Sequence, residues 1–112
     1  MSRPPAKTLG EFEQVVLLAV LRLGTEAYGA AVRREIEERT GRHLGISAVY
    51  TTLGRLEEQR LVSSHVGEPT AERGGRRKKY FEIEPRGREA LAESYHTFRR
   101  MVAGLERQLQ KS

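Results

Sequence analysis

The chain has no cysteine. That excludes disulfides, thiolate metal sites and cysteine nucleophiles. Long hydrophobic runs are missing too. The longest, Val15 to Leu21, is far shorter than the roughly 20 residues of a transmembrane helix. The stretch before it has no signal-peptide pattern, because acids precede the apolar segment. A cytoplasmic protein is the expectation. Clustered catalytic residues are also lacking. His43, His65 and His96 fall in a turn, a strand and a helix by pattern, without a neighbouring carboxylate in a catalytic spacing or a metal-ligand cluster. "ERGGRRKK" lacks the G-x-x-x-x-G-K-[ST] spacing of a phosphate-binding P-loop. Neither an enzyme nor a cofactor or metal site is expected.

What remains is a chain of 112 residues with 38% hydrophobic and 31% charged residues, a composition neither disordered nor membranous. It suits one domain with a limited core, for which oligomerisation is a natural way to bury more apolar surface. The formal net charge is +5. Arg73, Arg76, Arg77, Lys78 and Lys79 lie within one stretch that holds no acid, and elsewhere acids match the remaining cations. The whole net charge thus belongs to one segment. Such focused positive charge suggests a polyanionic partner. A solvated basic loop, or a nuclear localisation signal read from "RRKK", is the plainer alternative.

Met1–Lys7 holds Pro4 and Pro5 and reads as a flexible tail. Thr8 and Glu11 have capping-box spacing at the start of a first helix, about Leu9 to Leu23, with Gly24 as its stop. Its second half is apolar on nearly every side and calls for burial on more than one face. A second helix spans about Tyr28 to Thr40. Val32 and Ile36 lie inward, Arg33 and Arg34 pair outward with Glu37 and Glu38, and Gly41 ends it. Arg42 and His43, just before the next turn, are weaker binding candidates. A third helix, about Ala48 to Gln59, has Ser47 as its N-cap. Val49, Leu53 and Leu56 form its buried stripe. The opposite face carries Ser47, Ala48, Thr51, Arg55 and Glu58, with Tyr50 and Thr52 on the flanks.

Next, "VSSHVGE" and "KKYFEIE" alternate as strands, placing Val62, Ser64 and Val66 on one side and Phe81 and Ile83 on a corresponding side. Pro69 and Gly74-Gly75 lie between them. An antiparallel hairpin with a long basic tip is the simplest assembly. Pro85 opens a last helix that runs to about Gln110. Leu91, Tyr95, Phe98, Val102, Leu105 and Leu109 form a heptad seam on it. Docking on the same subunit's first helix would use this seam. A crossing between two subunits accounts better for its length, with Phe12 and Val16 opposite.

Helices two and three joined by a short link, then a basic hairpin, are the layout of a winged helix-turn-helix. The expected class is mostly α (α+β), with residues 1–8 a tail, 9–84 the winged helix-turn-helix and 85–112 a C-terminal dimerisation helix. At this point the sequence resembles the PadR-type transcriptional regulators. The resemblance rests on "LGEFEQVVLLAVLRL", "AYGAAVRREIEERTG", "ISAVYTTLGRLEEQRLV" and "RRKKYFEIEPRGREAL", covering about Leu9 to Leu91. It implies a homodimeric, usually repressing DNA-binding protein with palindromic operators and dimer contacts from the first and last helices. Glu84 stands where relatives carry a capping Thr, and Phe81 where many carry Tyr. Only one helix follows Leu91, as in the short-tailed branch. Some relatives sandwich planar drugs with a Trp, and this chain has no Trp.

The DNA-reading set is Ser47, Ala48, Thr51, Thr52 and Arg55, with residues 48–59 in the major groove and Arg55 as the fork for a guanine edge or a phosphate. Tyr50 is either a phosphate donor, as the resemblance implies, or a half-buried core tyrosine. Arg76, Arg77, Lys78 and Lys79 on the wing, residues 66–80, are phosphate candidates, with Arg73 a candidate minor-groove arm. Strand alternation prevents all four wing cations from touching one backbone. The alternative is a ligand-sensing or protein-interaction module on the same fold. No feature of the sequence identifies a small-molecule effector.

Overall fold

The computed structural model describes residues 8–68 and 77–110. The first helix, α1, spans Glu11–Leu23. Its cap is Gly10 and not Thr8. The Gly10 N–H donates to Glu13 Oε1 at 2.9 Å, which is the returning half of a capping box moved two residues along. Glu11 is drawn elsewhere. It accepts from Arg42 Nη1 and Nη2 at 3.1 and 2.5 Å, so Arg42 ties α1 to the turn after the second helix. The Arg42 guanidinium holds the Glu11 carboxyl below its ordinary value. The pair therefore contributes at neutral pH and is lost as pH falls.

Val16, Leu17, Ala19 and Val20 bury two adjoining faces of α1, while Leu18 and Leu21 stay exposed. A 3-10 turn at Gly24–Glu26 leads into α2, Gly29–Thr40. Ala31, Val32 and Ile36 face the core, and Gly41 closes the helix at φ +75°, a conformation that favours glycine. Arg33 pairs with Glu37 at 3.8 Å.

The next helix, α3, spans Ile46–Glu58 with Gly45 as its cap. Ser47 is therefore inside the first turn and is not the N-cap. The expected stripe of Val49, Leu53 and Leu56 is fully buried. Arg60, at φ +63°, turns the chain out of the helix. Strands β1 (Val62–Val66) and β2 (Lys79–Ile83) then form an antiparallel hairpin. The register pairs Val62 with Ile83, Ser64 with Phe81 and Val66 with Lys79. These six residues share one face, and Val62 and Phe81 on it are buried. The other edge of β2 is also used, because the Phe81 N–H donates to the Ala27 carbonyl at 2.7 Å.

The last long helix, α4, spans Pro85–Val102. Glu84 caps it without a side-chain hydrogen bond, with Pro85 in the first turn. Gly87 lies against the chain leaving α3. A Cβ there would sit 2.3 Å from the Leu61 carbonyl oxygen and 2.8 Å from Ile83 Cγ1. Backbone cannot yield as a side-chain tip can. Gly87→Ala is expected to cost about 1–3 kcal/mol from overpacking, despite alanine's better helix propensity, and the midpoint of urea unfolding measures it.

The single helix to Gln110 is corrected. The chain breaks at Ala103–Gly104, with Gly104 at φ +88°, and resumes as the short α5, Glu106–Leu109. Glu106 Oε1 takes the Gly104 N–H at 2.9 Å, stabilising the turn. Leu105 and Leu109 thus lie beyond the break and do not extend the α4 stripe. Every residue from Tyr95 to Met101 is exposed. The radius of gyration, 16.2 Å, exceeds the ~13 Å of a compact chain this long. No helix among the described residues is long and apolar enough to cross a membrane.

Candidate nucleic-acid interface

Burying Val49, Leu53 and Leu56 dictates what α3 shows outward. Ser47, Ala48, Thr51, Gly54, Arg55 and Glu58 are exposed. Near the N-terminal end the side chains are short or hydroxylic, so another surface can approach the backbone closely, and Arg55 is the one long cation on that face. Thr52 is a correction. It is only 5% exposed, because it lies on the flank that packs beside Leu53, and it cannot present its hydroxyl to a groove.

Tyr50 is half exposed, and its ring lies on Gly29. A Cβ at Gly29 would fall 2.3 Å from Tyr50 Cζ. Glycine at the start of α2 is what lets the ring lie there, with its hydroxyl beside that helix. Tyr50 is thus a half-exposed ring packed on the start of α2.

The hairpin root is built from aromatics. Tyr80 meets Tyr28 edge-on at 5.6 Å between centroids and stacks on His65 at 5.7 Å. Lys78 Nζ lies 4.2 Å above the Tyr28 ring. Arg34, together with Lys78, holds the Tyr28 phenol below its ordinary value, so two cations converge on this hydroxyl. Among the described residues Arg33 makes the expected pair with Glu37, while Arg34 makes no ion pair with Glu37 or Glu38. The Tyr28-Gly29 and Tyr80-Phe81 pairs stand out in the sequence, but nothing in either pair signals that Tyr28 and Tyr80 touch.

Strand parity separates the wing cations. Lys78 lies on the Tyr80 face. Lys79 lies on the Phe81 face, where its Nζ is 3.5 Å from Glu57 Oε1 and 5.6 Å from the Phe81 ring centre. Lys79 is thus turned toward α3, where an acid of that helix pairs with it. Arg77 is exposed. Arg73 and Arg76, with the Gly74-Gly75 tip, lie outside the described residues.

Between them, α1 and α4 leave an apolar groove of about 380 Å³ lined by residues including Leu18, Leu21, Leu91, Tyr95 and Phe98. Tyr95 is 57%, Phe98 68% and Met101 73% exposed. Leu105 and Leu109 are exposed as well, Val102 is half-buried, and Phe12 packs at the core's edge. Val16 is corrected. At 0% exposure it belongs to this chain's own core and is unavailable to a second subunit. Leu91 is also buried in that core, at its margin.

A helix-turn-helix followed by an antiparallel wing and a projecting last helix defines a winged helix-turn-helix protein. The chain belongs to the transcriptional regulator PadR-like family, whose model matches residues 17–93. Members of that family are DNA-binding transcriptional regulators and not enzymes. The fold is similar to that of a PadR-like regulator from Bacillus cereus, with a TM-score of 0.69, 19% identity and coverage of 90% of this chain and 93% of that one. It is also similar to a PadR family regulator from Clostridium difficile, with a TM-score of 0.66, 21% identity and coverage of 89% and 99%. An uncharacterized 37.1 kDa protein in a transposon of Streptomyces fradiae is 34% identical over 88 residues, which are 79% of this chain and 23% of that protein. This chain therefore spans about a quarter of that relative's length.

Proposed function

We propose that the protein is a transcriptional repressor that binds a palindromic operator as a homodimer. In this reading residues 9–84 bind DNA and 85–112 dimerise. The outward face of α3 enters the major groove, with Ser47, Ala48, Thr51 and Arg55 toward the bases and Tyr50 toward a phosphate. Arg76, Arg77 and Lys78 contact phosphates, and Arg73 serves as a minor-groove arm. The observation that carries it is the short-residue face of α3, with Arg55 as its single long cation, set beside an antiparallel hairpin whose second strand is entered through Arg77, Lys78 and Lys79.

The chemistry divides as protein–DNA interfaces do. Wing cations attract and position by neutralising phosphate, while groove residues discriminate between bases. The second subunit is supported by the exposed apolar groove between α1 and α4. A second copy covers it, and two α3 helices then meet two half-sites.

A mobility-shift titration on the DNA upstream of the protein's own gene, at two salt concentrations, tests the reading. With roughly three phosphate contacts per subunit, the log–log salt slope is expected near −5. A promoter fusion reads the sign of regulation. Absence of binding to any duplex at low salt would turn the assignment to a ligand-sensing or protein-interaction module.

A further inference from the structure

Glu57 lies at the C-terminal end of α3, one helical position past the buried Leu56. Its two carboxylate oxygens go to different strands. Oε2 accepts from Ser64 Oγ on β1 at 2.5 Å, and Oε1 faces Lys79 Nζ on β2 at 3.5 Å. Ser64 and Lys79 share the hairpin face that bears Phe81. One carboxylate thus spans both strands from the helix that reads the groove.

We propose that Glu57 is a positioning residue: it fixes the angle of the wing against α3 and holds the Lys79 ammonium off the DNA backbone, limiting sequence-independent affinity. The second half rests on the DNA-binding reading above, and the first does not. A regulator must find its site among a vast excess of other DNA, and each cation released to phosphate strengthens binding to all of it alike. A wing cation held by an acid on the reading helix keeps the hairpin basic enough to position while lowering that background. Arg77, two residues further out along the chain, and Lys78, on the opposite face, do not share this restraint.

Two substitutions separate the roles. Glu57→Gln still accepts from Ser64 through its amide oxygen and carries no charge to hold Lys79. On a random duplex its affinity is expected to rise roughly tenfold at 0.1 M salt, with a slope steeper by about two per dimer, one extra phosphate contact from each subunit. The double variant Glu57→Gln/Lys79→Ala should lose that gain. Glu57→Ala also removes the acceptor for Ser64, so amide exchange in β1 and β2 of the DNA-free protein should quicken severalfold while α1 is unchanged.

Unchanged wing exchange in Glu57→Ala overturns the tether. Unchanged random-duplex binding in Glu57→Gln, or a gain that survives loss of Lys79, overturns the restraint. If the unsubstituted protein binds no duplex, the regulator reading falls and the restraint falls with it, while the exchange comparison still decides the tether.

Discussion

Arg55→Ala is expected to reduce operator affinity by about 30-fold to 10⁴-fold while weakening a random duplex far less. The reason is reach. Burial of Val49, Leu53 and Leu56 aims Ser47, Ala48, Thr51 and Arg55 outward. The first three are short and meet only what the helix itself touches. Arg55 alone carries a planar fork at the end of a long stem, suited to bidentate pairing with a guanine edge. Each such pair is worth about 1–3 kcal/mol of discrimination, and a dimer presents two. Arg77→Ala should behave differently, lowering affinity for every sequence by a similar factor and flattening the salt slope by about one for each phosphate no longer neutralised. Parallel titrations on operator and scrambled duplexes separate the two. Equal weakening on both duplexes for Arg55→Ala would make Arg55 a phosphate ligand and remove its role in sequence choice.

How far the sequence went follows from the range of each signal. The α3 stripe was legible because a buried face repeats every turn of helix. The hairpin was legible because Val62, Ser64, Phe81 and Ile83 alternate around Pro69 and the Gly74-Gly75 pair. Lys79 had a signal that went unused, since counting back two residues from Phe81 puts it on the packed face. Thr52 went wrong because a flank position does not say which neighbour covers it, and a threonine is small enough for either setting. Helix starts slipped where glycines serve as caps. Gly10 and Gly45 lack the side chain that capping rules look for, so Thr8 and Ser47 drew the boundary. Gly104 broke α4 because its helical alternative is weak, and heptad spacing alone carries on through it. Contacts between distant residues had no local trace. Tyr28 on Tyr80, and Glu57 on Ser64 and Lys79, depend on how the hairpin folds back. Arg42 on Glu11 likewise depends on where the first turns of chain meet.

Phe98→Glu is expected to leave a folded monomer whose operator affinity falls at least a hundredfold. Phe98 is 68% exposed, so the subunit core does not need it, and the far-UV spectrum should be unchanged. Its neighbours on the same surface, Leu18, Leu21, Tyr95 and Met101, are exposed as well. A lone subunit would keep this surface in water, although fully burying one such side chain gains about 1.5–3 kcal/mol. Placing a carboxylate at its centre reverses that gain, because two charges related by symmetry would be desolvated facing each other. The weaker DNA binding follows from linkage. In a dimer the second α3 binds at an effective concentration set by the first, and separating the subunits removes that advantage of roughly 10²–10⁴ while every DNA-facing side chain stays in place. Light scattering should therefore report half the native mass, and the operator should be bound no better than an isolated half-site. Val16, at 0% exposure inside the core, provides the contrast. Val16→Ala should lower the unfolding midpoint through the cavity it leaves and leave the mass unchanged at temperatures where the chain stays folded. If Phe98→Glu keeps the native mass, the second copy must be held by some other surface than the groove between α1 and α4.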